Sequence, residues 1–201
     1  MNYYHNLITT KSWQALLSLK EKYDFILIGG WAVYLYTRGL KSKDIDCVVE
    51  YSELEKLKKE FVVSKNLRLK KYEARKEEIE IDIYVPYYSN PGLPAEDLKN
   101  FMVVTEGFKT VKAEVLAILK EKALMDRAHS PKGRKDLIDL ISLFALTDFD
   151  WEGYKKIIAR SNLSSYSKYT KEIIQNTPQV PEVGLNIHKM ARFKKKVLPL
   201  L

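Results

Sequence analysis

Between Phe25 and Glu50 the chain reads FILIGGWAVYLYTRGLKSKDIDCVVE, and this stretch limits the fold more than any other. A short apolar run, Phe25 to Ile28, meets Gly29–Gly30. A largely apolar segment then opens at Trp31, and a second apolar run carries Asp44 and Asp46 into Cys47, Val48 and Val49. The pattern predicts strand, turn, helix, strand. Side chains on a strand alternate faces, so positions 44 and 46 point the same way and both carboxylates reach one common cation. Strand-end acids also cap loops or pair with lysine, so the pair needs a third element to specify its chemistry.

The remaining chain supplies the frame. Residues 12 to 23 space Trp13, Leu16, Leu17 and Leu19 as a helix does, with Ser12 as its N-cap. Ser52 and Glu55 match a capping box, and Leu54, Leu57 and Phe61 mark an amphipathic helix ending near Phe61. Strands are predicted over 67–74 and 78–85. In the second of these, Ile79, Ile81, Ile83 and Val85 fall on one face, and Glu78, Glu80, Asp82 and Tyr84 on the other. Pro86, Pro91, Gly92 and Pro94 make 86–98 a loop, and 101–105 reads as a further short strand before Gly107 turns the chain.

From Val111 the period becomes helical. Helices are predicted over 111–128, 135–146, 151–161 (capped by Asp150) and 164–176, with a final basic helix over 185–198 beyond Pro178 and Pro181. The class is therefore α+β: a mixed sheet with flanking helices over 1–108, then an all-helical domain over 109–201.

Bulk properties narrow the partners. Lys and Arg outnumber Asp and Glu by 34 to 26, a net charge of +8 that favours nucleic acid, nucleotides or an acidic protein surface. Cys47 is the single cysteine and cannot form an internal disulfide. No signal-peptide pattern opens the chain, and no apolar run approaches the roughly 20 residues that span a bilayer. A reduced, cytoplasmic setting is expected. His5, His129 and His188 match no metal-ligand spacing, while Lys189, Arg192, Lys194, Lys195 and Lys196 form a basic cluster that reads equally as a contact for RNA phosphates or as a solvated face.

Asp82 is the third element. Three carboxylates from two strands, near a glycine turn that opens a helix, supply hard oxygen ligands for a divalent metal and backbone donors for a triphosphate. Magnesium suits this chemistry, and two ions sharing the acids would serve in-line nucleotidyl transfer. Glu80 shares the face of Asp82 and reads as a solvated or Lys-paired side chain.

These residues resemble the DNA polymerase beta-like nucleotidyltransferase superfamily. Its signature is a hydrophobic strand, Gly–Gly or Gly–Ser, a helix, Asp–hydrophobic–Asp, then a third acid between hydrophobics on a neighbouring strand. Here these stand as Leu27–Ile28–Gly29–Gly30, Asp44–Ile45–Asp46 and Ile81–Asp82–Ile83, with Ser42 two residues before the first acid. Lys120, Ala123, Leu124, Arg127, Lys135–Asp136–Leu137 and Asp139–Leu140 look like the helical motif of the small branch that includes AbiEii-type toxins.

The resemblance spans about residues 25 to 146. It implies transfer of a nucleoside monophosphate from an NTP such as ATP, with two Mg2+ ions, or Mn2+ in their place. Asp44 and Asp46 would bind both ions, and Asp82 would bind the catalytic ion and help activate the acceptor hydroxyl. Gly29, Gly30 and Ser42 would cradle the phosphates, Lys41 or Lys43 would offset charge, and Lys135 and Asp136 would lie beside the nucleotide. Acceptors in such relatives are tRNA, proteins or small molecules, and the AbiEii likeness implies a toxin–antitoxin role with a cognate antitoxin. Many relatives carry Arg four residues before the first acid, where this chain has Leu40; Lys41 or Arg38 would replace that charge. The alternative is a catalytically degenerate module of the same fold that binds a protein or RNA partner.

Overall fold

The apolar runs around the glycines become β1 (Ile26–Ile28) and β2 (Ile45–Val48), joined by α2 (Gly29–Thr37). They lie at the centre of a mixed sheet in a computed structural model that describes residues 2–76 and 78–201; the side chains of residues 1–6, 76 and 77, His5 among them, lie outside the described set. The chain divides into two units, Met1–Lys112 and Ala113–Leu201.

In the first unit the outer strands are β3 (Val62–Asn66), β4 (Lys71–Lys76), β5 (Ile79–Tyr84), β6 (Met102–Thr105) and β7 (Phe108–Val111). Among the described residues the strand order is β3-β4-β5-β2-β1-β7-β6. β2 runs parallel to β5 and β1 parallel to β7, while the other pairings are antiparallel. Leu27, Ile45 and Ile83 have no exposed surface, and Ile81 is 1% exposed. Burying each such side chain stabilises the fold by about 1.5–3 kcal/mol.

In this unit local readings needed correction in four places. Helix α1 covers Asn2–Lys22, so Ser12 is not an N-cap but a buried mid-helix residue whose hydroxyl accepts from the Trp31 indole at 2.9 Å. Trp31 also packs against Trp13, ring centroids 5.0 Å apart, and this aromatic contact fixes α1 against α2. Helix α3 (Tyr51–Glu60) follows Glu50 with no side-chain cap, so Ser52 and Glu55 form no capping box.

The strand predicted over 67–74 is a hairpin. Residues 67–70 turn the chain, Lys70 has a φ of 47°, and the Asn66 side chain accepts from the Leu69 amide at 2.9 Å. Leu67 and Leu69 imitate strand alternation yet stand in solvent. Finally, Glu106 and Gly107, with φ of 51° and 75°, make a tight hairpin whose second arm, β7, pairs with β1; the sheet therefore extends past the turn at Gly107.

The second unit contains α4 (Ala113–Arg127), α5 (Pro131–Phe144), α6 (Trp151–Arg160), α7 (Ser164–Asn176) and α8 (Ile187–Val197). Helix α5, expected from residue 135, starts at Pro131: Ser130 Oγ accepts from the Gly133 amide at 3.0 Å, and Pro131 takes the first helical position. A Cβ at Gly133 would lie 2.1 Å from the Arg127 carbonyl oxygen, so only glycine lets α5 begin this close to the end of α4. Asp150 caps α6 as expected, accepting from the Gly153 amide at 2.9 Å. None of the helices among the described residues is long and apolar enough to cross a membrane.

One buried acid gives this unit a pH dependence. Glu121, with no exposed surface, accepts from the Tyr154 hydroxyl at 2.7 Å, while its Oε2 and the nearby Thr170 Oγ1 have no hydrogen-bond partner. Burial pushes its pKa from 4.5 up to about 7, against the opposing effect of the Tyr154 hydroxyl. Below pH 4.5 folded and unfolded chains both hold the proton; between 4.5 and 7 only the folded chain does, so stability falls as pH rises. The full loss above pH 7 is about 3 kcal/mol at roughly 1.4 kcal/mol per pH unit. Glu121→Gln is expected to raise the melting temperature at pH 8 and leave it nearly unchanged at pH 4.5. An equal effect at both pH values would contradict this account.

Candidate functional site

Asp46 and Asp82 meet where β1 ends and α2 begins. Asp46 on β2 pairs in register with Ile28 on β1 and with Asp82 on β5, so the two carboxylates are cross-strand neighbours on adjacent parallel strands. Directly paired residues project to the same face. Asp44 precedes β2 by one residue, and all three acids are half-buried. Burial is the main cause that lifts the adjacent Cys47 thiol well above its ordinary range, and the Asp46 and Asp82 charges add to it. Cys47 is consequently an inert core residue rather than a nucleophile.

Gly29 is required here on two counts. Its φ is +67°, and a Cβ built on it would lie 2.1 Å from Asp46 Oδ2. The turn therefore brings the first amides of α2 up to an acid side chain, where the positive end of the helix favours negative charge. Gly30 is buried behind it. Ser42 is buried, whereas Lys41 and Lys43 are exposed. Arg38, in the left-handed conformation at the end of α2, is ion-paired with Glu106 and stacks on Tyr34 at 5.3 Å.

Sequence reasoning missed the neighbours of Asp82. Lys71 on β4 places its Nζ 2.6 Å from Asp82 Oδ2 and 3.4 Å from Glu73 Oε1, and is only 9% exposed. Glu73 is the in-register partner of Asp82, and its Oε1 accepts from the Asn66 side-chain Nδ2 at 2.9 Å. That hydrogen bond first, and the Lys71 charge after it, hold the Glu73 carboxyl below its ordinary value despite the opposing effect of burial. The available signal was the alternation Lys71, Glu73, Arg75, legible once 67–70 is recognised as a turn. Glu80 pairs with Arg75 at 3.2 Å and is half exposed, as expected of a residue outside the site.

Magnesium binds through one or two carboxylates and completes its shell with water and phosphate oxygens. Asp44 and Asp46, two residues apart and both half-buried, would supply the two carboxylates of one such ion. A two-ion arrangement sharing all three acids fits less well, because Asp82 already holds Lys71. Among the described residues, no three His, Cys, Asp or Glu side chains are disposed to hold an ion together.

Asp136 and Lys135 lie on α5 in the second unit. Asp136 is 1% exposed, and Lys120 and Arg127 reach its two oxygens at 3.0 and 2.7 Å. Lys120 also lies 2.7 Å from Asp139 Oδ2, which is equally buried. Burial works to raise the Asp136 pKa, but Lys120 and then Arg127 outweigh it and hold the carboxyl below its usual range. Lys120, Asp136 and Asp139 thus form a core network rather than the exposed pairs common on helix surfaces, and Arg127 joins it from the half-exposed rim. Lys135 is half-buried.

Comparison with solved structures places this architecture. JHP933 from Helicobacter pylori matches with a TM-score of 0.53 over 95% of this chain and 92% of its own, at 16% identity. A second H. pylori structure, provisionally named a nucleotidyltransferase, matches with a TM-score of 0.51 over 97% of each chain at 17% identity. The chain has a nucleotidyltransferase-like α+β fold. No family model matches it, and no curated protein sequence does so. Within this nucleotidyltransferase-like fold, the Gly29 turn and the Asp46–Asp82 pair sit at the centre of the sheet, at one end of β1. A groove of about 430 Å³ lined by Lys20, Asp24, Phe108 and Lys109 opens at the other end of β1, away from the acids.

Proposed function

We propose that the protein is a magnesium-dependent nucleotidyltransferase that moves a nucleoside monophosphate from an NTP to an acceptor hydroxyl. The observation that carries this reading is the register of Asp46 with Asp82, beside a glycine turn too tight for any side chain. Asp44 and Asp46 would hold the ion, which when bound neutralises phosphate charge and orients the triphosphate. The first amides of α2 at Gly29 and Gly30, with Ser42, would bind phosphate oxygens, and the exposed Lys41 and Lys43 would add positive charge. Lys41 would carry the role of the arginine that Leu40 replaces, since Arg38 is committed to Glu106.

In the chemical step the acceptor oxygen bonds to the α-phosphorus, the α–β phosphoanhydride bond breaks and pyrophosphate leaves. Asp82 would take the acceptor proton through the oxygen that Lys71 does not hold. Asp136, held by Lys120 and Arg127, would serve by stiffening α5, the helix that also carries Lys135.

RNA, tRNA included, is the proposed acceptor class. In α8, Met190, Phe193 and Val197 are buried, which leaves Lys189, Arg192, Lys195 and Lys196 exposed as a basic surface. Such a surface binds phosphates whatever the base sequence. A toxin role with a cognate antitoxin is proposed on the likeness of the helical motif to AbiEii-type proteins.

Incubation with each α-labelled NTP, Mg2+, total tRNA and cell lysate tests this directly. Label is expected in the RNA fraction, with one NTP preferred, and none when the divalent ion is chelated. Label in the protein or small-molecule fraction would overturn the acceptor class; label in none would overturn the activity.

A further inference from the structure

Among the described residues two lysines are buried, Lys71 and Lys120, and of these Lys71 is the one that lies against the acids of β2 and β5. An ammonium group loses much of its hydration on burial and remains charged only where carboxylates compensate. Here the compensation is specific. Nζ lies 2.6 Å from Asp82 Oδ2 and 3.4 Å from Glu73 Oε1. The strand register places Glu73 opposite Asp82 and Lys71 opposite Asn66, whose side chain in turn holds Glu73. The lysine is thus fixed by two strands, and through Asp82 it stands one strand away from Asp46.

We propose that Lys71 is a built-in cation of this site, occupying the third carboxylate so that the acids take up one divalent ion, at Asp44 and Asp46, instead of two. The proposal rests on the reading of those acids as metal ligands. A dication sharing Asp82 would lie beside the Lys71 ammonium, where a local medium less polarisable than water strengthens like-charge repulsion. Neutralisation of Asp82 by an ammonium also keeps its charge balanced before any ligand arrives, and makes Lys71 a positioning residue for the carboxylate that accepts the proton.

Titration of the full-length protein with Mn2+, followed by the electron paramagnetic resonance signal of free ion and without nucleotide, tests the proposal by stoichiometry alone. Wild-type protein is expected to bind one Mn2+, Asp46→Asn none, Lys71→Arg one and Lys71→Met two. Wild-type protein binding two ions, or Lys71→Met still binding one while its circular dichroism is unchanged, would overturn the role of Lys71 yet leave the acids as a metal site. Binding by none of the variants would instead overturn the metal-site reading and this proposal with it. The wild-type count alone decides the matter if the Met variant fails to fold.

Discussion

Asp46→Asn is expected to lower nucleotide transfer on the order of a thousandfold while leaving the melting temperature within a few degrees of wild type. The magnitude follows from removing one preorganised charge at the reacting phosphates, a loss that costs about a hundred- to a thousandfold where such groups have been removed singly. The fold should survive because Asn is isosteric and Asp46 is half-buried, flanked in β2 by Ile45, Cys47 and Val48, which carry the packing. Asp44→Asn should behave in the same way. Glu80→Gln, which alters only an exposed pair with Arg75, should retain full activity. Transfer by Asp46→Asn within tenfold of wild type would remove the acid pair from the reaction.

The largest stability effect is expected at Lys120. Its ammonium serves both Asp136 and Asp139, each 1% exposed, and Lys120→Met would take away the cation beside the buried Asp139. Removing one partner of a buried pair costs about 3–5 kcal/mol because the remaining charge is uncompensated. Denaturant unfolding followed in the helical unit should show this loss. Lys156→Ala breaks only an exposed contact to Glu152 at 3.8 Å and should change stability by less than about 0.5 kcal/mol. A loss under about 1 kcal/mol for Lys120→Met would show that solvent already screens the network.

The centre of the fold was readable because periodicity and topology agree there. Strand, Gly29 turn, helix and strand follow one another in 24 to 50 with little freedom, and the alternation of Ile79, Ile81 and Ile83 fixes the facing of Asp82. The helical half was readable for a similar reason: Asp150 marks a helix start by backbone chemistry that needs no tertiary context, whereas α5 begins at Pro131, four residues before the expected Lys135. What escaped was information carried by pairing. Leu67 and Leu69 alternate like strand residues although they occupy a turn, so the register that sets Lys71 and Glu73 beside Asp82 was invisible. The charges of α4 and α5 likewise resemble a solvated stripe in sequence. Only the packing of the two helices, permitted by Gly133, buries them against one another.

The central claim is that the Gly29 turn with Asp44, Asp46 and Asp82 is a metal-dependent nucleotide site. Thermal unfolding with each NTP, with and without Mg2+, tests it most directly, because a ligand that binds only the folded chain raises its melting temperature. Wild-type protein should be stabilised by at least one NTP when Mg2+ is present and not when it is absent, and Asp46→Asn should show no such shift. Stabilisation of Asp46→Asn equal to that of wild type, or none of wild type with any NTP, would contradict the account.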